Sequence, residues 1–328
     1  MMREETMETQ SDVVVSIRNL VKRFGKFYAV NGISLDVNRG EVFGFLGPNG
    51  AGKSTTIRML CGILPPTSGE GKVAGYDVFR EPEKIKNHIG YMSQKFSLYE
   101  DLTVEENIDF YSGIYKIPAE KKQSRKDWVL SMAGLEEHRN SKTGALSAGW
   151  KQRLSLGCAI LHEPPVVFLD EPTSGVDPLS RRKFWELIYE MSEKGITIFV
   201  TTHYMEEAEY CDRLALIYRG ELTAVGTPQE LKKKLMKDQV VEMKTPDPQD
   251  LIEPLQKIKG VKEVALYGGG LHLVVDNFDR AKADLESVLN RLQNPATMKK
   301  VEPSLEDVFV SLIEERDRQE QKQQEVRR

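Results

Sequence analysis

Cysteine is scarce: Cys61, Cys158 and Cys211 are the only 3 in 328 residues, scattered and odd in number. That argues against a disulfide framework or a zinc site and for a reducing compartment. No apolar run approaches the ~18 residues that a spanning helix needs, so no segment is expected to cross a membrane. The first ten residues are polar and acidic, without the apolar stretch of a signal peptide. Net charge is also lacking: 46 Lys and Arg against 50 Asp and Glu leave -4, no reason to expect a nucleic-acid partner. No internal repeat is present. What remains is ordinary for a soluble globular chain, 40% hydrophobic and 29% charged, with length for one large α/β domain and a smaller one.

One stretch organises the rest. Gly47-Pro48-Asn49-Gly50-Ala51-Gly52-Lys53-Ser54-Thr55 matches G-x-x-x-x-G-K-[ST], the phosphate-binding loop. The apolar residues 42–46 before it read as a buried parallel strand, and 55–60 after it as a helix. Glycines let successive N–H groups turn inward on phosphate oxygens, and the helix N-terminus adds partial positive charge. Lys53 is then expected on the β- and γ-phosphates and Ser54 on Mg²⁺. A glycine-rich turn that binds nothing is the plain alternative, and the strand–loop–helix context weighs against it.

The other signals follow in chain order. Residues 13–17 and 33–37 read as strands of a small antiparallel sheet, with a turn at 22–25. Phe24 is a candidate for stacking on a purine, or else a core phenylalanine. Gln94 ends a short strand, within reach of Mg²⁺ or an attacking water; alone, a strand-end Gln means little. The segment Phe96-Ser97-Leu98-Tyr99 is apolar and precedes a helix opened by a Thr103/Glu106 capping box. It is expected to help form a groove for a membrane partner, where charge at Leu98 or Tyr99 uncouples the two. Ser147 is the natural cap of a helix that starts Ala148-Gly149-Trp150.

Residues 166–171 form an apolar run ending in Asp170 and Glu171, which implies a sheet covered on both faces with ligands at this end. Asp170 is expected to hold Mg²⁺ and Glu171 to polarise a water. A solvated acidic turn explains one such carboxylate better than two. His203 follows another buried strand, on the same edge as Glu171; a lone strand-end His is more often structural. After about residue 238 the pattern becomes β-α-β-β-α-β, then a capped helix from Ser304 and a charged stretch that reads as frayed or disordered.

Taken together, the first 235 or so residues resemble the ATP-binding subunit of an ABC transporter. The resemblance implies a P-loop NTPase core of α/β class, with an antiparallel β subdomain and a helical insert, plus a small ferredoxin-like α+β domain. Phe24 then matches the base-stacking aromatic, Gly47 to Thr55 Walker A, Gln94 the Q-loop, and Asp170 and Glu171 Walker B with its catalytic Glu. His203 matches the switch histidine and Asp177 the D-loop. Ser147, Ala148, Gly149 and Trp150 match the signature, where Ala148 replaces the usual first Gly and Trp150 the usual Gln. That departure bears on the detailed contacts of the signature.

The resemblance implies ATP and Mg²⁺ as cofactors, with Ser54, Gln94 and Asp170 toward the metal. It also implies a head-to-tail dimer with a second ATP-binding subunit, identical or not, in which the signature serves the partner's nucleotide. Transmembrane permease subunits would anchor the pair to the cytoplasmic face of the membrane as a peripheral assembly. Residues 173–178 and the ending at 304–309 look like the branch exporting drugs, antibiotics or lipids. An importer ATPase and a soluble ABC ATPase are the alternatives; the chain has one module and no sustained heptads. A P-loop GTPase is disfavoured by the lack of an N-K-x-D motif. The expected division is a flexible N-terminus over 1–10, the ATP-binding domain over 11–238 with its helical insert at about 96–160, a small domain over 239–316, and a tail over 317–328.

Overall fold

The structure, a computed structural model, describes residues 13–94, 97–236 and 238–326. The expected N-terminal segment over 1–10 and Phe96 therefore lie outside the described residues. The chain divides into two compact units that meet in sequence at Thr227 and Pro228.

In the first unit, three strands without a solvent-facing residue form the centre: Val42–Leu46, Thr197–Thr202 and Val166–Asp170. Buried on both faces, they need cover on both. They belong to a six-stranded sheet ordered Glu221–Gly226, Arg213–Tyr218, Val42–Leu46, Thr197–Thr202, Val166–Asp170, Ile89–Met92. Only the Arg213–Tyr218/Glu221–Gly226 hairpin pairs antiparallel. Strand alternation sorts the apolar residues. Phe43, Phe45 and Phe168 surround Phe199 on one face, ring centroids 5.4 to 5.5 Å apart. There they meet Ile57, Met59 and Leu60 of the helix Lys53–Leu60 and Val15, Ile17 and Leu20 of a second sheet. Val167, Leu169, Ile198 and Val200 turn the other way, onto Phe184, Trp185 and Ile188 of the helix Pro178–Glu193.

The second sheet is antiparallel and ordered Phe27–Asn38, Val13–Phe24, Ser68–Val73, Tyr76–Asp77. Its first two strands run twelve residues each, longer than the five-residue stretches the alternation suggests. Register shifts near Leu20 and Lys22 carry the pairing through polar residues, so the turn falls after Phe24. Three helices, Val104–Ile114, Ala119–Ala133 and Ala148–Ala159, share a separate core that includes Val104, Ile108, Val129, Leu130 and Leu154. The Thr103/Glu106 capping box forms, with bonds of 3.2 and 2.8 Å. Asn107, fully buried, accepts from the Tyr99 N–H and donates to the Tyr99 carbonyl, both at 2.9 Å, which fixes the segment before the helix.

The second unit holds a four-stranded antiparallel sheet ordered Val261–Tyr267, Gly270–Val275, Gln239–Lys244, Thr297–Val301. With the helices Ile252–Gln256 and Phe278–Arg291 this is the expected β-α-β-β-α-β order. One face packs Val241, Met243, Leu271 and Leu273 on Leu251, Leu255 and Leu285. The other presents Val240 and Val274 to Val308 and Leu312 of the helix Leu305–Val326. Leu235 and Met236 join that cluster, so the helix Pro228–Leu235 belongs to this unit. The boundary accordingly falls at Thr227/Pro228 and not at 238, because the apolar side of that helix finds its partners here. The last helix also continues to Val326, through most of the stretch that reads as a tail from 317.

Candidate nucleotide-binding and hydrolysis site

The phosphate loop joins the buried strand Val42–Leu46 to the helix Lys53–Leu60. Glycine is obligatory at two of its positions. A Cβ at Gly47 would lie 2.3 Å from the Ile217 carbonyl oxygen. At Gly52, whose φ is +113°, it would lie 2.5 Å from that of Ala29. The Lys53 side chain, 4% exposed, donates to the carbonyls of Gly47 at 2.8 Å and Pro48 at 3.2 Å. It also pairs with Glu171 Oε1 at 3.0 Å.

Two carboxylates face this loop from the end of Val166–Asp170. Asp170 Oδ1 accepts from Ser54 Oγ at 3.0 Å and from Thr201 Oγ1 at 2.9 Å. Burial holds the Asp170 carboxyl above the usual carboxylate range, and these two hydroxyls work against that shift. Glu171 sits at φ +48°, a conformation costly for a residue with a Cβ. Its N–H is held by Thr201, at 3.0 Å from the hydroxyl and 3.2 Å from the carbonyl. Glu171 Oε2 accepts from Gln94 Nε2 at 3.0 Å and lies 3.1 Å from His203 Nδ1. One carboxylate thus gathers Lys53 from the start of the helix after the phosphate loop and Gln94 and His203 from just beyond two strand ends.

These groups open on a cleft of about 660 Å³. Phe24, Asn49, Gly50, Gly52, Lys53, Ser54, Thr55, Gln94, Glu171 and His203 line it. Gly47 and Pro48 supply the carbonyls that hold Lys53, Ala51 is buried within the loop, and Asp170 is buried beneath Ser54. Phe24 is 50% exposed, so it is not a core residue. Phe27 and Ala29, which no motif in the sequence singles out, also line the cleft, together with Ser174 of the 173–178 stretch. The hairpin register Phe24↔Phe27 is the signal that pairs the two rings at one strand end. Thr201 was missed as well, although a hydroxyl pair just before a strand-end His is visible in the sequence.

Ser147, Ala148, Gly149, Trp150 and Asp177 do not line this cleft. Ser147 occupies the N-cap of Ala148–Ala159 but makes no side-chain capping bond. A Cβ on Gly149 would lie 2.6 Å from Ser180 Oγ. Trp150 packs within its own helical cluster, under the Arg153 guanidinium at 3.7 Å and edge-on to His138 at 5.0 Å. Asp177 caps the helix Pro178–Glu193 by accepting from the Ser180 N–H at 2.9 Å, and the Ser180 hydroxyl first, then that N–H, holds its carboxyl below the usual range. Among the described residues, no cluster of three or more His, Cys, Asp or Glu side chains suits a metal by itself. Ser54 and Asp170 present oxygen donors 3.0 Å apart, a set that suits Mg²⁺ once phosphate and water complete the shell.

A parallel sheet with a glycine loop and two carboxylates at the carboxyl ends of its strands defines a P-loop nucleotide-binding protein. Comparison with known proteins narrows this. A family profile described as "ABC transporter" matches residues 30–174, and one described as "ATP-binding protein DrrA1-3-like, C-terminal domain" matches residues 226–313. The chain is 50% identical over 240 residues to the "Probable multidrug ABC transporter ATP-binding protein YbhF" of Escherichia coli (strain K12), covering 73% of this chain and 41% of that protein. It is 35% identical over 309 residues to the "Linearmycin resistance ATP-binding protein LnrL" of Bacillus subtilis (strain 168), covering 91% of this chain and 98% of that one. Among solved structures it resembles the ATP-binding cassette MJ0796 in a dimeric post-hydrolysis state bound to ADP and Pi. The TM-score is 0.59 at 28% identity, covering 65% of this chain and 98% of that one. The chain belongs to the ABC transporter family, as one of its ATP-binding proteins, with a C-terminal domain of the DrrA1-3 type. It spans about two fifths of the length of YbhF and nearly all of LnrL.

Proposed function

We propose that this chain is the ATP-hydrolysing subunit of a membrane exporter, working at the cytoplasmic face on transmembrane permease subunits. The observation that carries hydrolysis is the meeting of Lys53, Gln94 and His203 on Glu171 beside the phosphate loop. Export is supported by the multidrug and linearmycin-resistance names of the relatives. No helix among the described residues is long and apolar enough to cross a membrane, and in this reading partner subunits supply the pathway for cargo.

In this reading Phe24, with Phe27 beside it, stacks on the adenine. The amides of Asn49 to Thr55 cradle the phosphates at the helix N-terminus. Lys53 exchanges its Glu171 partner for the γ-phosphate and offsets charge that spreads on it during transfer. Ser54, Asp170 and Gln94 would hold Mg²⁺, which when bound would supply neutralising charge to the phosphoryl oxygens. Glu171, released from Lys53, orients or deprotonates the attacking water, and His203 contacts the γ-phosphate. Ser147, Ala148, Gly149 and Trp150 serve the nucleotide of a second ATP-binding subunit, with Asp177 at the same interface; their position outside the chain's own cleft fits that division.

The test is to recover the tagged chain from native membranes and sequence what accompanies it, with ATP turnover measured on the same material. A transmembrane subunit and turnover abolished by Glu171→Gln are expected. A soluble ribosomal or DNA-bound partner, or turnover indifferent to Glu171, overturns the reading.

A further inference from the structure

Glu207 is a buried carboxylate that the scheme above does not use. It lies in the short helix Met205–Ala208, 1% exposed. A carboxylate in that position costs several kcal/mol unless its oxygens are met by donors or a cation. Here they are met from three places. Thr202 Oγ1 donates to Glu207 Oε2 at 2.6 Å, Thr173 Oγ1 donates to Oε1, and Arg181 Nε stands 3.4 Å from Oε1.

The places matter more than the number. Thr173 lies two residues after Glu171, on the loop whose Ser174 lines the cleft. Thr202 immediately precedes His203, and its hydroxyl also accepts from the Tyr204 N–H at 3.0 Å. The backbone is therefore held on both sides of His203. Arg181 comes from the helix capped by Asp177, and its guanidinium stacks on Tyr204 at 4.1 Å. One buried carboxylate thus joins the segment after Glu171, the segment carrying His203, and the helix that follows Asp177.

We propose that Glu207 is a positioning residue for hydrolysis: it clasps the loop after Glu171 to the loop bearing His203 and so holds their 3.1 Å contact. The inference rests on the reading of Glu171 as the group that prepares the water. It assigns Glu207 no contact with ATP. Loss of the clasp lets the His203 and Glu171 segments move independently, which lowers turnover without emptying the nucleotide site.

The experiment measures steady-state ATP hydrolysis and thermal unfolding of the full chain as wild type, Glu207→Gln, Thr202→Val, His203→Ala and the double variant Glu207→Gln/His203→Ala. Glu207→Gln keeps one acceptor but loses the charge that faces Arg181. Turnover is expected to fall about tenfold or more, with KM for ATP changed by less than about twofold, the pattern of a group acting only in the transition state. Thr202→Val removes one arm without altering charge and should show the same split. Because Glu207 acts through His203, the double variant should be little slower than His203→Ala alone. Wild-type turnover in Glu207→Gln, or losses that multiply in the double variant, overturns the proposal. If Glu207→Gln does not fold, Thr202→Val and its combination with His203→Ala are judged by the same criteria. Glu171→Gln runs alongside: if that variant keeps turnover, the underlying reading of Glu171 fails, whereas loss there with normal Glu207→Gln sinks only the clasp.

Discussion

At the residue scale, Lys53 and Glu171 are each other's partner at the wall of the cleft, where both are largely buried, at 4% and 6% exposure. Removing one member of such a pair leaves the other a buried, unmatched charge. Glu171→Gln therefore leaves Lys53 seeking a phosphate, so ATP affinity should be kept or raised. Turnover should fall by about 10²-fold or more, since the group that prepares the water is gone. Binding of a fluorescent ATP analogue and phosphate release measure the two separately, and equal loss of both refutes the assignment. Lys53→Ala should instead weaken binding. Phe24→Ala should weaken ATP binding while Phe24→Tyr stays near wild type, because stacking needs only a ring face; exposed Phe27 makes the double alanine variant the stronger case. Away from the site, burial lowers the His162 pKa to about 4, although its ring nitrogen lies 3.0 Å from the Ile89 carbonyl. The unfolded chain takes up this proton near pH 6.5 and the folded chain only near 4, so stability falls as pH drops through that window. His162→Gln should flatten the fall in Tm between those values, and an unchanged slope would place the acid sensitivity elsewhere.

At the element scale, the helix Val104–Ile114 links a capped start to an exposed apolar surface. Tyr99 is 49% exposed and packs edge-on to Phe110 at 4.6 Å; Ile114 is 53% exposed. A cluster of this kind fits a partner surface. Leu98, by contrast, is buried in the core of the helical insert, so charge there breaks packing and reports nothing about a partner. Tyr99→Glu is the informative change. ATP turnover of the isolated chain should stay within about twofold, as expected of a surface substitution away from the site, while stimulation of that turnover by the proposed permease subunits is lost; stimulation that persists would return Tyr99 to ordinary surface. Thr103→Ala removes one half of the capping box and should cost about 1 kcal/mol of stability by denaturant unfolding, with the Asn107 bonds limiting the spread of the damage.

At the scale of the whole molecule, the signature residues lie outside the chain's own cleft, and the proposed function assigns them to the nucleotide of a second subunit. A mixture of Lys53→Ala and Ser147→Arg chains should regain activity that neither homodimer has, because one of its two sites is intact. A mixture as inactive as its parents refutes the shared site, unless a crosslink between positions near Ser147 and Gly50 shows that the dimer forms and needs both sites. Much of this protein is legible in short windows of sequence. The phosphate loop, the Thr103/Glu106 cap, the all-apolar strands and the β-α-β-β-α-β order are each specified by neighbours, since backbone conformation, capping and periodicity act over a few residues. The contacts that organise the carboxylates are not legible in this way. Parallel register sets Asp170 beside Thr201, and the hydroxyl of Thr201 then bonds both Asp170 and the N–H of Glu171. The same sheet brings Gln94, Lys53 and His203 to one carboxylate and leaves Glu207 between two loops. Parallel strands are joined by long crossovers, so these partners come from distant parts of the chain and meet only when the sheet is assembled.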